Sequence, residues 1–281
     1  MKIAAAPISW GVCEVPGWGY QLDPARVLGE IARLGLTATE LGPDGFLPAE
    51  PAARAALLSR YGLRAVGGFV PVVLHDPAHD PLPALRATVA SFEPGAVAVL
   101  AAATGVDGYD ARPELDRAGW DTLLANLDRA ARGLDRPVVL HPHVGTMVES
   151  ADEVARVLDG SEAQLCLDTG HLLVGGADPV AIAADAPDRI AHVHLKDVDA
   201  AMAARVRAGE LTYTQAVAAG LYRPLGHGDV NVKAIVTGLE AAGYTGWYVM
   251  EQDVVLAGEP GPGAGPVADV RESLDFLRRL A

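Results

Sequence analysis

Histidine and carboxylate residues recur in pairs, two positions apart, through the second half of this chain. His141 and His143 form one pair, His194 and Lys196 a second, and Glu251 and Asp253 a third, while Asp168 and His171 stand three apart. In an extended strand, residues i and i+2 face the same way, so each pair presents both polar groups to one side. One histidine from the first pair, with Asp168, His194 and Glu251, would make a mixed nitrogen and oxygen site. Imidazole plus carboxylate suits manganese, iron, cobalt or zinc better than calcium. Five of the eight histidines, counting His171 and His192, fall between residues 141 and 194, near the ends of three successive apolar runs. A histidine population spread for surface solubility would not concentrate in this way. Such groups at strand ends would be buried and need partners, which a bound cation supplies.

What must position them is a repeating alternation of short apolar runs and helical segments. Strands are expected at Ile3 to Ser9, Thr37 to Leu41, Leu63 to Val70, Ala96 to Leu100, Pro137 to His141, Gln164 to Asp168, Ile190 to Leu195 and Trp247 to Glu251. Between them, Asp23-Pro24 and Asp178-Pro179 each offer an N-cap followed by proline at the first helical position. Val27, Leu28, Ile31 and Leu34 fall on one helical face, and Gly35 closes that helix. Further helices are expected over Ala52 to Arg60, Leu115 to Arg132, Val232 to Ala242 and Val267 to Leu280, and Ser150 with Glu153 makes a capping box that opens one through Leu158. About eight strand–helix units in 281 residues, with no composition break to mark a linker, are the arithmetic of an α/β fold, a single-domain (β/α)8 TIM barrel over 1–281. A doubly wound sheet would show a glycine-rich phosphate loop after its first strand, and Ser9 to Glu14 is not one. The stretch from Asp199 to Tyr222 is longer than an ordinary connection and reads as a lid insertion.

In such a barrel the active site lies at the C-terminal ends of the strands. That rule adds Trp10 and Glu40 to the paired residues. Trp10 and Trp18, in the Gly/Pro-rich loop after the first strand, could form an apolar wall for a sugar-like ring. Cys166, two before Asp168, reads as a small packed hydrophobe, while His75 and His79 read as rim or surface residues. Composition narrows the function further. The 22 basic and 36 acidic residues leave a net charge of −14, without the clustered Lys and Arg that phosphate backbones require, so nucleic acid is excluded as a partner. Two cysteines in this length suggest a reducing compartment. No apolar run is long enough for a signal-peptide core or a membrane span, so no membrane partner is expected. The expectation is a soluble, cytoplasmic protein acting on a small molecule, with a homo-oligomer allowed.

The segments APISWGVCEVPGWG, ATELGPDGFLP, HPHVGT, LDTGH, HVHLKD and GYTGWYVMEQD resemble those of inosose (2-keto-myo-inositol) dehydratases. These enzymes belong to the xylose isomerase-like, AP endonuclease family 2 TIM-barrel superfamily of sugar phosphate isomerases and epimerases. The resemblance runs from residue 3 to about residue 255. It implies metal ligands at His141, Asp168, His194 and Glu251, holding a divalent ion: Mn2+ or Co2+ first, with Zn2+, Fe2+ or Mg2+ as alternatives. In the isomerases and epimerases the strand-five ligand is a glutamate that also moves protons. A histidine there argues against symmetric proton shuttling and for one-sided proton abstraction followed by loss of a hydroxyl. The implied reaction is dehydration of a keto-cyclitol, an inosose to a diketo-deoxy-inositol plus water, through an enediolate, in inositol catabolism. Candidates for proton transfer are His143, Lys196 and Glu40, and candidates for substrate binding are Trp10, Trp18, His171 and Asp253. Two other readings are a metal-dependent ketose isomerase or epimerase, and a metal-binding barrel subunit of a heteromeric lyase or a catalytically silent sugar-binding protein. One departure stands out. The family's Gly-Asp-Gly segment before the seventh helix is Gly226, His227, Gly228 here, which alters a loop expected to help define substrate.

Overall fold

The computed structural model describes residues 1–280. Eight parallel strands close into a barrel: β1 (Lys2–Ala5), β2 (Ala38–Glu40), β3 (Arg64–Val72), β4 (Val97–Ala102), β5 (Val138–Leu140), β6 (Gln164–Asp168), β7 (Ile190–Leu195) and, after a two-stranded excursion of β8 (Asp197–Val198) and β9 (Tyr222–Arg223), β10 (Trp247–Met250), which pairs with both β7 and β1. The (β/α)8 arrangement is therefore as expected, and all eight strands lie where the apolar runs put them.

Local chemistry explains the boundaries. Asp23 accepts from the Arg26 amide and Asp178 from those of Val180 and Ala181, so both Asp-Pro pairs start helices, Pro24–Arg33 and Pro179–Asp185. Ser150 and Glu153 form the full reciprocal capping box of helix Ala151–Gly160. The first strand is shorter than expected. It stops at Ala5, because Pro7 has no amide for the ladder, and Pro7–Trp10 turns as a 3-10 helix. Outside the insertion, two helices go beyond the expected set. Leu82–Ala90 buries Leu82, Leu85 and Val89, and Thr169–Val174 starts directly on the side chain of Asp168. The long segment after β7 is folded rather than irregular: helices Ala200–Arg207 and Tyr213–Ala218 sit between β8 and β9, which pair antiparallel. No helix among the described residues is long and apolar enough to cross a membrane.

The barrel interior is layered along its axis. Its lower part packs Val97, Val99 and Val139 around Cys166, and Ala4, Ala38, Val66 and Val249 beside them, all buried. Two residues further along the same strands, the inward positions become His141, Asp168, His194, Glu40 and Glu251. Period-2 alternation thus lifts each polar group onto the C-terminal rim above an apolar floor. Two register shifts fall where they re-aim site residues, between Thr39 and Glu40 on β2 and between Leu165 and Cys166 on β6.

Candidate active site

A cavity of about 250 Å³ opens at the C-terminal ends of the strands, with Glu40, His141, His143, His194, Lys196, Glu251 and Asp253 in its polar wall. Asp168 lies just behind them, fully buried. Its Oδ1 accepts from the Gly170 and His171 amides at 2.9 and 2.8 Å, capping the helix that follows, while Oδ2 faces the site, 3.1 Å from His141 Nε2. The backbone thereby fixes one oxygen and leaves the other for chemistry.

Three groups converge as a metal site would require. His194 Nδ1 lies 3.3 Å from Glu251 Oε2 and 3.6 Å from Asp168 Oδ2. That nitrogen is buried, has no hydrogen-bond partner of its own and is aimed between two carboxylates; a bound cation would take the place of its proton. The set Asp168, His194 and Glu251 fits a divalent cation. His141 meets the same Asp168 Oδ2, and it clusters with Asp168 and His171 and also with Cys166 and His194.

The other half of His194 is committed. Its Nε2 lies 3.0 Å from Glu40 Oε1, which is also 2.7 Å from His192 Nε2. Position 67 must be glycine for this arrangement, since a Cβ there would stand 2.7 Å from Glu40 Oε1. The two imidazoles hold the Glu40 carboxyl well below the usual carboxylate range, although its burial opposes them. The carboxylate is shared between two imidazoles, an arrangement that would orient His194 if that histidine holds an ion. Glu40→Ala should lower divalent-ion affinity about 10- to 100-fold with the fold retained, measurable by calorimetric metal titration.

Lys196 supplies the fixed positive charge. Its Nζ donates to Asp253 Oδ1 at 2.7 Å and to His171 Nε2 at 2.9 Å, and stands 3.1 Å from Glu251 Oε2 and 3.5 Å from Asp168 Oδ2. Burial would lower its pKa, but Asp168, Asp253 and Glu251 outweigh it and hold the ammonium well above the ordinary lysine value. The network continues into the insertion. Tyr213 donates to Asp253 Oδ2 at 2.7 Å and lies 3.0 Å from the Tyr222 hydroxyl, which is 3.4 Å from His171 Nδ1. Five buried side chains thus close a ring that ties the segment 199–222 to the barrel rim.

His143 is set apart from this ring by its environment. Its Nδ1 donates to the Val144 carbonyl at 2.7 Å, so the neutral ring turns Nε2 outward. Its ring stacks on His171 with centroids 3.7 Å apart and on Tyr109 at 4.4 Å. Burial pushes its pKa well below the usual histidine value, and the ring stays neutral at physiological pH. Burial likewise pushes His141 down to about 4.

Glu251 is the contrasting carboxyl. Desolvation pushes it up to about 7, with the attraction of His194 and Lys196 opposing. Below that pH it carries a proton that a cation must displace, so divalent-ion affinity should fall on acidification through pH 7, by about tenfold per unit for each proton released. Isothermal titrations between about pH 5.5 and 8.5 in buffers of different ionisation enthalpy would count those protons.

Of the eleven residues expected at the site, ten are gathered within or directly behind the cavity wall. Trp18 lines it, its Nε1 donating to the Val254 carbonyl at 3.0 Å. His171 sits behind the wall. Trp10 is elsewhere: fully buried, it donates from Nε1 to Glu30 Oε2 at 2.8 Å and packs into the core, because Pro7–Trp10 coils into a 3-10 helix instead of extending the strand to the mouth. The altered Gly226–Gly228 loop is also remote from the substrate space. The Asp197 carboxylate accepts from the amides of Gly226, Gly228 and Val230 and pins the loop, and none of residues 226–231 lines the cavity. Four site residues carried no such expectation: Glu14, Tyr109, Tyr213 and Tyr222. Their only trace in the sequence is an aromatic or acidic residue inside an otherwise small and polar loop.

The family described as xylose isomerase-like TIM barrel matches residues 28–280. The chain is 33% identical to an inosose dehydratase of Geobacillus kaustophilus (strain HTA426), an alignment covering 91% of this chain and 89% of that protein. Among solved structures, L-ribulose 3-epimerase superposes with a TM-score of 0.66 at 15% identity, covering 99% of this chain and 93% of that one. The "probable 3-DHS dehydratase AsbF" of Bacillus anthracis gives 0.66 at 16%, covering 99% of each.

Proposed function

The chain belongs to the xylose isomerase-like TIM barrel family and is an enzyme of the inosose dehydratase-like hydro-lyase kind, and from that premise we propose that it removes water from a keto-cyclitol, converting an inosose to a diketo-deoxy-inositol. The observation that carries this reading is the inequality of the two proton-handling groups at the cavity. His143 has a neutral Nε2 able to accept a proton, while Lys196 carries an ammonium able to give one once a substrate hydroxyl departs beside it. A reversible 1,2-shuttle works best with two matched bases on opposite faces. Water loss needs one base and one acid, roles that this unequal pair would fill.

In this reading His143 Nε2 takes the proton from the carbon next to the ketone. The electrons of that C–H bond move to the ketone oxygen and then return to expel the β-hydroxyl, which leaves as water with a proton from Lys196. The Lys196 charge also stabilises the developing enolate. His171, stacked on the base and hydrogen-bonded to the acid, keeps the two at fixed separation. Trp18 gives the ring an apolar wall, Asp253 accepts from a ring hydroxyl as well as from Lys196, and the insertion 199–222 acts as a lid through Tyr213. Asp168, His194 and Glu251, with His141 beside them, would hold a divalent ion, Mn2+ or Co2+ before Zn2+, Fe2+ or Mg2+, whose Lewis acidity polarises the ketone. The two free cysteines suit the cytoplasm.

Incubation with a panel of inososes and ketoses in deuterated water, with added Mn2+ or Co2+, tests the proposal. Loss of water from an inosose is the expected result. Deuterium exchange or epimerisation without water loss would replace it by the isomerase reading.

A further inference from the structure

A second cavity, of about 180 Å³, adjoins the first. It is lined by residues that include Val15, Ala103, Thr104, Val106 and Asp107, and it shares Glu14, Phe69, Pro71 and Tyr109 with the main cavity. The partition is therefore built from four side chains, and its polar part is one hydrogen bond, from the Tyr109 hydroxyl to Glu14 Oε1. The bond spans two loops, those following β1 and β4. Tyr109 is held against His143 from behind by its backbone: at Gly145, where φ is +77°, a Cβ would lie 2.4 Å from the Tyr109 Cα. Only glycine at 145 allows the partition to stand this close to the proposed base.

The chemistry of the second space is specific. Most of its wall is apolar, and the Thr104 hydroxyl is already engaged with the Val106 amide at 3.1 Å. No Lys or Arg lines it, and the ionisable groups at its edge are Glu14, Asp107 and Tyr109. In the main cavity the single Lys or Arg is Lys196, which is occupied by three carboxylates. A phosphate or carboxylate on the substrate would meet acidic neighbours without a counter-charge. An uncharged, compact apolar group would lose little and would bury its surface against Phe69, Pro71 and Val106.

We propose that the second cavity is a subsite for an uncharged ether substituent on the cyclitol ring, with the Glu14–Tyr109 pair as the partition that admits it. The substrate class is then a ring-substituted keto-cyclitol, an O-alkyl ether, in addition to the bare ring. This rests on the keto-cyclitol reading above, and it uses nothing of the metal site.

Calorimetric binding of an inosose, of each of its mono-O-methyl ethers and of an inosose monophosphate, to the intact protein, tests it directly. At least one ether should bind no more weakly than the parent, and the monophosphate at least about tenfold more weakly, the cost of an unpaired charge. Val106→Trp, on an exposed loop position facing the second cavity, should weaken that ether about tenfold or more while leaving the parent's affinity unchanged. Ala103→Phe, which fills the same space from the end of β4, should repeat the pattern if the first variant is unstable. Rejection of every ether by the wild-type protein, indifference of both filled variants to the ether, or preference for the phosphate would overturn the subsite. Binding of the parent without its dehydration would instead count against the proposed reaction and leave the subsite result standing.

Discussion

Replacement of Asp168 by asparagine should leave the protein folded and strip it of both bound divalent ion and turnover. The expectation follows from the division of labour between the two oxygens. The amide oxygen of the new side chain can still accept from the Gly170 and His171 amides, as Oδ1 does now, so helix Thr169–Val174 keeps its cap. The amide nitrogen would replace Oδ2, the atom facing His141, His194 and Lys196. A ligand becomes a donor, and the negative charge nearest the Lys196 ammonium after those of Glu251 and Asp253 disappears. Turnover should fall about 10³-fold or more, corresponding to several kcal/mol of lost transition-state charge stabilisation. Asp168→Ala should do the same and also cost about 1 kcal/mol of stability through loss of the cap. Elemental analysis beside a rate assay and a circular dichroism spectrum separates these effects. Stoichiometric metal and full rate in the Asp168→Asn variant would remove Asp168 from the proposed site.

Lys196→Met should be the most damaging single change to the metal-free protein. The methionine fills a similar volume, but Asp168, Glu251 and Asp253 are then left buried together without their shared cation. Removing one partner of a buried ion network is destabilising by about 3–5 kcal/mol, chiefly through the charges left behind. Urea titration should show this loss. Saturating Mn2+ or Co2+ should restore part of it, because the ion meets the same carboxylate oxygens. Turnover should remain depressed by about 10²–10⁴-fold even when metal is bound, since the proposed proton donor is gone. Full activity of the metal-loaded variant would reassign the acid.

Lys196 can be picked out by its two-residue spacing from His194 and Asp168 by its place at the end of an apolar strand, which shows where the sequence is informative. Period-2 pairs at strand ends, together with the rule that barrel sites lie at those ends, bring His141, Asp168, His194, Lys196, Glu251 and Asp253 to one place without knowledge of any distant contact. The helix starts at Asp23, Ser150 and Asp178 are equally local, since each depends on residues within about four positions. What could not be read depends on distant partners. Glu40 lies 154 residues from His194, and only the closed barrel brings its carboxylate 3.0 Å from that imidazole. Trp10 follows the first strand in the sequence as a mouth residue should, yet Pro7 coils the chain and sends the indole to Glu30. Tyr213 reaches Asp253 only because β8 and β9 pair and fold the insertion back over the rim. The helix Leu82–Ala90 was within reach, since Leu82, Leu85 and Val89 keep one face, but Pro81 and Pro83 at its start obscured it.

The apolar layer beneath the site has a kinetic consequence. Val97, Val99, Val139 and Cys166 form a buried apolar cluster two residues before the polar rim, on the side away from the mouth. The proposed ion-holding groups stand next to that layer, so a substrate entering from the mouth would cover them. If Asp168, His194 and Glu251 hold an ion beneath the cyclitol, addition should be ordered, ion first and cyclitol second. A bound cyclitol should shield the ion from chelators, and the rate of metal stripping should fall in proportion to occupancy of the pocket.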